Sequence, residues 1–292
     1  MFIFVVNKNS GKGNTLKVWD EVQLYLQSKK IDYQVLVTGS KEDVLQLRTL
    51  IKNVHTKISG VIALGGDGTS QEVINQLVGT EYPFSVIPTG SGNDFARARG
   101  VDRNLRREVE RIIGGRQEKI DLMKVNNRYC LTVIGLGFDG MVAQVTNQMR
   151  FKKWFGSLSY ILSVFKVLRT YKPSSVRLTI DGEYIHYDKV WLIAIANYPY
   201  YGGGMKICPY ATSQDGLVDI CIVHGLSRWK LLLLFPSVFK GGHVKQKGVN
   251  MIQGREIIVN SDKQLIIHGD GEIIGSTPIT ITIEKNALNI IS

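Results

Sequence analysis

The sequence predicts two successive folds, an α/β domain on a parallel sheet and then a β-rich domain. Three observations carry this. Residues 2–88 alternate short, continuous apolar runs with stretches of helical period, joined by short turns, which is how a parallel sheet is wound. Beyond about residue 120, strand-like runs follow one another between turn signals such as Asn126-Asn127, Asp181-Gly182 and Gly269-Asp270-Gly271. No repeat, low-complexity stretch or long linker divides the chain. Domains of residues 1–122 and 123–292 are therefore expected, packed closely, with the last residues at liberty to rejoin the first domain.

Each element has its own signal. Residues 2–6 are wholly apolar, as a strand buried on both faces requires. A turn at 7–14 leads to a helical pattern carried by Leu16, Trp19, Val22 and Leu26. Tyr33–Val37 reads as a strand, and Val44, Leu47, Leu50 and Ile51 form one helix face. Val61–Leu64 and Phe84–Ile87 are further strands, with Val73, Ile74, Leu77 and Val78 on the helix between them. In the second half, Arg128–Leu136, Ser175–Ile180, Lys189–Ala196, Val218–Val223, Arg255–Asn260, Gln264–His268 and Thr280–Ile283 are strand-like. Helices are expected near 141–170 and 227–240.

Composition narrows the class. An apolar fraction of 44% against 21% charged residues is that of a globular chain rather than a disordered one. The net charge of +11 points to an anionic partner, be it nucleic acid, a phosphate-rich ligand or an acidic membrane surface. Cys130, Cys208 and Cys221 form no C-x-x-C pair, and the five histidines show no metal spacing, which argues against zinc. The N-terminus lacks the basic leader of a signal peptide, and no run reaches the length of a membrane-spanning helix, so a cytoplasmic location is expected.

Three turns follow the predicted strands at one sheet edge. They are Asn7-Lys8-Asn9-Ser10-Gly11-Lys12-Gly13, Gly65-Gly66-Asp67-Gly68-Thr69, and Pro88-Thr89-Gly90-Ser91-Gly92-Asn93-Asp94. Ligands of open α/β sheets bind outside the carboxyl ends of the strands. Glycines let main-chain N–H groups approach phosphate oxygens, and a helix N-terminus adds partial positive charge. Ser10, Thr69 and Ser91 add hydroxyl donors. One such turn is as well explained by ordinary turn chemistry; three in register favour phosphate binding. None is a Walker A loop, because Gly11-Lys12 is followed by Gly13. Gly135, Gly137 and Gly140 fit G-x-G-x-x-G, but no Asp or Glu occurs between 141 and 180 to hold a ribose, so that match is a decoy.

Leu64-Gly65-Gly66-Asp67-Gly68-Thr69 resembles the signature of the diacylglycerol and sphingosine kinase family, shared more loosely with NAD kinases and phosphofructokinases. Pro88 to Ala96 resembles the second signature of the lipid-kinase branch, and Asn7…Ser10-Gly11 the first, with Lys8 where the family has proline. The order and spacing of these signatures extend over essentially the whole chain, which is most similar to bacterial soluble lipid kinases. The resemblance implies an NAD-kinase/diacylglycerol-kinase-like first domain, a β-sandwich-like second domain and a cleft between them. It also implies ATP and Mg²⁺ as cofactors, a lipid at a membrane surface as acceptor, and no nucleic-acid partner. Oligomeric state stays open, a homodimer being one assembly.

The resemblance also implies residue roles. ATP contacts fall to Asn7, Lys8, Asn9, Ser10, Gly11, Thr38, Gly65, Gly66, Asp67, Gly68, Thr69, Ser70, Gln71, Ser91 and Asn93. Asp67 sits beside the nucleotide phosphates, with Asp94 and Asp121 in a metal–water network; a helix cap for Asp94 and a solvated strand end for Asp121 are the alternatives. Gly269-Asp270-Gly271-Glu272 reads first as a hairpin turn, and by resemblance Glu272 is the proton acceptor for the lipid hydroxyl. Around Asp215-Gly216, the Asp215 carboxylate and main-chain oxygens at Thr212 and Leu217 resemble a structural Mg²⁺ site, an ordinary Asp-Gly turn being the alternative. The acid-free stretch 141–180 carries Arg150, Lys152, Lys153, Lys166, Arg169, Lys172 and Arg177 around Phe151, Trp154, Phe155, Leu158, Ile161, Leu162, Phe165 and Leu168. It reads either as a membrane-surface element or as a core helix with a basic edge. Leu226–Phe239 is a weaker candidate, its leucines suiting a core.

Overall fold

A run of five apolar residues without alternation can avoid water only if both faces of its strand are covered. The structure, a computed structural model describing residues 1–102, 104–148 and 157–292, realises this in the first of two units. Unit one comprises Met1–Asp121 with Lys285–Ser292, and unit two Leu122–Glu284. The chain thus crosses between them at 121/122 and again at 284/285.

In unit one, strands β1 (Phe2–Asn7), β2 (Tyr33–Thr38), β3 (Gly60–Gly65) and β4 (Phe84–Pro88) are parallel in the order β4-β3-β1-β2. Helices α1 (Thr15–Ser28), α2 (Lys41–Val44), α3 (Gln46–Lys52), α4 (Asp67–Leu77), α5 (Asp94–Ala98) and α6 (Leu105–Gly114) connect and cover them. Phe4, Val6, Trp19, Leu26, Leu64 and Ile112 pack in one core. β2 is the edge, and Val35 and Val37 are exposed there. The C-terminal strand adds a fifth parallel position, Ile290 pairing with Phe84.

Unit two contains the end of β5 (Gln117–Val125) from Leu122 on, then β6 (Arg128–Cys130), β7 (Val133–Gly137), α7 (Phe138–Gln148), α8 (Ser157–Thr170), β8 (Ser174–Ile180) and β9 (Glu183–Ala196). There follow β10 (Tyr200–Tyr201), β11 (Met205–Lys206), β12 (Val218–His224), α9 (Arg228–Val238), β13 (Val249–Gly254), β14 (Glu256–Ser261), β15 (Ile266–Gly269), β16 (Glu272–Ser276) and the start of β17 (Ile279–Ile291), which passes into unit one at Lys285. The pairings here are antiparallel, including β7 with β9, β9 with β8 and β12, and β14 with β8 and β17. The two-residue period of a strand separates two cores. On β9, Ile193 and Ile195 join one core while Leu192, Ala194 and Ala196 join another. β12 divides likewise, Ile220 and Ile222 against Cys221 and Val223. The first core lies between strands; the second is covered by residues of α7, α8 and α9.

β7 feeding α7 does reproduce a strand-to-helix turn at the G-x-G-x-x-G match, but among the described residues β7 has only antiparallel partners, β9 and β15. Its glycines serve packing. A side chain on Gly135 would strike the buried Asp139 and His268, and one on Gly140 the Ile266 carbonyl. Of the basic aromatic stretch, Arg150, Phe151, Lys152, Lys153, Trp154 and Phe155, together with the side chains of Leu158 and Ile161, lie outside the described residues.

Candidate active site

The parallel registers bring the strand ends of unit one to one edge: Asn7 pairs with Thr38, Val6 with Leu64, and Gly65 with Pro88. The three glycine turns that follow interlock there. Asn7 Nδ2 donates to Thr69 Oγ1 at 2.9 Å, and the Thr89 amide donates to the Gly65 carbonyl at 2.8 Å. The hydroxyls of Thr15 and Thr89 lie 2.8 Å apart. Lys8 N donates to Thr38 O at 2.9 Å, Asn9 N to Asn7 Oδ1 at 3.0 Å, and Asn9 Nδ2 to Gly39 O at 2.7 Å.

Main chain meets main chain so closely that a methyl group has no place. A Cβ on Gly90 would lie 2.5 Å from Gly66 Cα, and one on Gly66 would lie 3.2 Å from Gly90 Cα and 3.8 Å from Ser10 Oγ. One on Gly11, whose φ is +60°, would run into the Thr89 carbonyl. Glycine at 66 and 90 is therefore a requirement of close approach rather than of turn propensity.

Asp67 opens α4, and its Oδ1 accepts a 3.3 Å hydrogen bond from the Phe95 amide in the first turn of α5. The second and third turns are thereby tied through a carboxylate. Asp94, buried, opens α5 with Arg97 Nε 3.9 Å away. Asn93 is left-handed with φ 54°; its Nδ2 donates to Gly90 O at 2.7 Å, while its buried Oδ1 has no hydrogen-bond partner among the described residues. Ser70 and Gln71 are buried in the first turns of α4, after the half-buried Gly68, and Ser91 is exposed. Thr38 is buried and its hydroxyl donates to Val6 O at 3.5 Å. Asp121, buried on β5, instead accepts from the Asn286 amide at 2.8 Å on β17.

In unit two, the Asp270-Gly271 turn joins β15 to β16 with both φ values positive, 50° and 86°, the conformation of a two-residue hairpin turn. Asp270 pins it. Its carboxylate accepts from the amides of Leu131 (2.7 Å), Thr132 (2.8 Å) and Val133 (3.1 Å) and from the Thr132 hydroxyl. Glu272, the next strand's first residue, forms an ion pair with Arg128 Nη2 at 3.3 Å. Asp215 Oδ1 accepts from Leu217 N at 3.0 Å, the bond of an Asp-Gly turn. Nearby Asp219 has its carboxyl pushed up by burial, Asp215's charge adding to the effect and Gln253's hydrogen bond opposing it. Among the described residues no three His, Cys, Asp or Glu side chains cluster as metal ligands. The Asp215 carboxylate is an oxygen ligand of the kind magnesium accepts.

Several residues escaped the sequence reading. Arg128 and Asp270 act on partners more than 130 positions away, and nothing local marks them. The buried pair Asp139 and His268, 3.3 Å apart, is likewise invisible in the chain order. His243 is buried with Nε2 2.9 Å from the Ile207 carbonyl, while its Nδ1 has no hydrogen-bond partner among the described residues.

Comparison with known proteins completes the picture. Residues 1–125 match the family description "Diacylglycerol kinase catalytic domain", and residues 132–292 match "YegS C-terminal NAD kinase beta sandwich-like domain". A protein of Mycobacterium tuberculosis (strain ATCC 25618 / H37Rv) named "Diacylglycerol kinase" is 31% identical over 293 residues, covering 98% of this chain and 93% of the relative. A solved diacylglycerol kinase structure from Bacillus anthracis str. Sterne superposes with TM-score 0.74 at 19% identity, covering 99% of this chain and 96% of that one. An NAD kinase from Archaeoglobus fulgidus in complex with ATP gives TM-score 0.52 at 16% identity, covering 100% of this chain and 94% of that one. These two likenesses show the fold. With a glycine-turn edge in unit one and both family descriptions matched end to end, the chain belongs to the diacylglycerol-kinase family of phosphotransferases.

Proposed function

We propose that the chain is a lipid kinase that transfers the γ-phosphate of ATP, with Mg²⁺, to a hydroxyl of a membrane lipid, diacylglycerol being the first acceptor to test. The observation that carries this reading is the interlocked edge of unit one, where Gly66 and Gly90 let two glycine turns at the strand ends pack main chain against main chain, the kind of turn whose amides bind phosphate oxygens. The acceptor groups gathered there, Asp67, Asp94 and the buried Asn93 Oδ1, would repel a bare triphosphate. A divalent cation resolves that conflict by neutralising phosphate charge.

In this reading, Asn7 to Gly11 with Thr38, and Gly65 to Gln71 with Ser91 and Asn93, hold and orient the nucleotide. Asp67 and Asp94, with Asp121, are the carboxylates that would hold the cation, directly or through water, where it would neutralise phosphate charge. Glu272, kept in one orientation by Arg128, takes the proton of the lipid hydroxyl as its oxygen attacks the γ-phosphorus and the bond to ADP breaks. Thr212, Asp215 and Leu217 would hold a structural Mg²⁺ through the Asp215 carboxylate and main-chain oxygens. Among the described residues no helix is long and apolar enough to cross a membrane, and in this reading the enzyme meets its lipid at the cytoplasmic surface.

The test is purified protein with radiolabelled ATP, Mg²⁺ and a lipid panel, beside NAD and fructose 6-phosphate. Label in the organic phase, lost in Glu272→Gln while ATP still binds, is the expected result. Label on NAD alone would favour the second reading, a kinase of a soluble acceptor, which the fold shared with an NAD kinase supports.

A further inference from the structure

Helix α9 is apolar on every side, yet only part of it is covered. Leu231 and Val238 are buried, and with Leu234 and Phe235 they line a small apolar pocket of about 50 Å³ within unit two. The opposite side is bare: Trp229 is 78% and Leu233 79% exposed, one turn apart on a single face, with Phe239 half exposed beyond them. A helix of this kind is stable when its second face also leaves water.

Helix α8 adjoins it. Val164 and Leu168 line the same pocket, and Arg228 Nη2 donates to the Tyr171 carbonyl just past the end of α8 at 3.2 Å. Outward, α8 presents Leu162 (52% exposed) and Phe165 (53%) beside the exposed Lys166 and Arg169. The charge around both helices has one sign. Residues 220–255 contain no Asp or Glu but carry Arg228, Lys230, Lys240, Lys245, Lys247 and Arg255, and residues 141–180 are also free of acids. Exposed Trp and Leu ringed by lysines and arginines, without an acid on either stretch, match the requirements of an anionic bilayer, which takes rings and aliphatic groups below its headgroups and cations at them.

We infer that the outer faces of α8 and α9, centred on Trp229 and Leu233, form the surface by which this protein seats on an anionic membrane. The occupant is a lipid bilayer, a choice that rests on the lipid-kinase reading as well as on the charge. The pocket lies on the covered side of the same two helices.

The experiment is sedimentation with vesicles of phosphatidylcholine alone or mixed with phosphatidylglycerol, free of diacylglycerol and ATP. Wild-type protein is expected to sediment with the mixed vesicles, less with the neutral ones, and less again as salt is raised. Trp229→Ser with Leu233→Ser should lower affinity by about tenfold or more, while Leu24→Ser, an exposed leucine of unit one, should leave it unchanged. Both variants alter exposed side chains, and unchanged thermal melts would verify their folding. Wild-type sedimentation by the Trp229/Leu233 variant, or an equal loss in Leu24→Ser, would overturn the inference. Phosphorylation of detergent-dispersed diacylglycerol is measured alongside. A wild type that phosphorylates no lipid yet docks through Trp229 would keep the docking face and sink the lipid-kinase reading. A wild type that phosphorylates dispersed lipid but never sediments would do the reverse.

Discussion

The glycine-turn edge of unit one and the apolar pocket of unit two are built in opposite ways. At the edge the walls are main chain, with Gly66 and Gly90 packed so that no side-chain atom fits between them. In the pocket the walls are side chains from helices and strands far apart in sequence, among them Phe138, Leu192, Met205 and Leu231. A main-chain edge of this kind tolerates no added atom. Side-chain walls can be resized one residue at a time, so whatever the second unit discriminates is adjustable where the first unit is not.

That contrast can be broken by mutation. Gly90→Ala should be the most damaging single change, since it drives a methyl into Gly66; displacing the turns by a fraction of an ångström should lower kcat/KM by about a hundredfold or more. Steady-state kinetics with nucleotide-binding titrations would measure it, and near-wild-type activity would remove the cradle from the mechanism. Asp270→Ala should cost about 3 kcal/mol in urea unfolding, because three amides lose their acceptor, and kinase activity should fall with it. Arg128→Ala should lower kcat about tenfold and leave the KM for ATP unaltered, with partial recovery in Arg128→Lys. Leu234→Ala, in the pocket wall, should shift preference among acyl chain lengths without touching the KM for ATP; equal effects on both substrates would erase the distinction between the two regions.

The smallest effect concerns acid stability. Hydrogen bonds from Lys124 and Tyr129 hold the Glu284 carboxyl below its usual range. A depressed carboxyl contributes stability that is present above its unfolded pKa of about 4.3 and lost as pH falls through the folded value. Melting temperatures of wild type and Glu284→Gln should therefore differ at neutral pH and converge in that acid window.

The same contrast decides what could be read from the chain. Strands buried on both faces announce themselves as unbroken apolar runs, and glycine turns are local, so residues 2–6, 61–64 and 84–87 and the three turns stood out. Thr38 and Asn7, 31 positions apart, follow once strand order is known. The ion pair of Arg128 with Glu272 spans 144 positions and needs the antiparallel pairing of unit two to exist before it means anything. The leucine run of α9 suggested a core helix because composition does not say which side is covered; Leu231 is buried and Leu233 is not. β17 was foreseen only over 280–283, since Glu284, Lys285 and Asn286 interrupt its apolar pattern.

β17 has one more consequence, for the gene rather than for the catalyst. Unit one takes its last parallel strand from residues 285–291, which follow the whole of unit two in sequence; there the Ile291 carbonyl accepts from Arg111 and the Ser292 amide donates to Arg116 O at 2.8 Å. A fragment cut after codon 121 would therefore encode a sheet missing a strand, and recombination cannot exchange the nucleotide unit as a single cassette. Because the Asn286 amide lies 2.8 Å from Asp121 Oδ1, a short splice from 121 to 285 would be the natural way to express that unit alone.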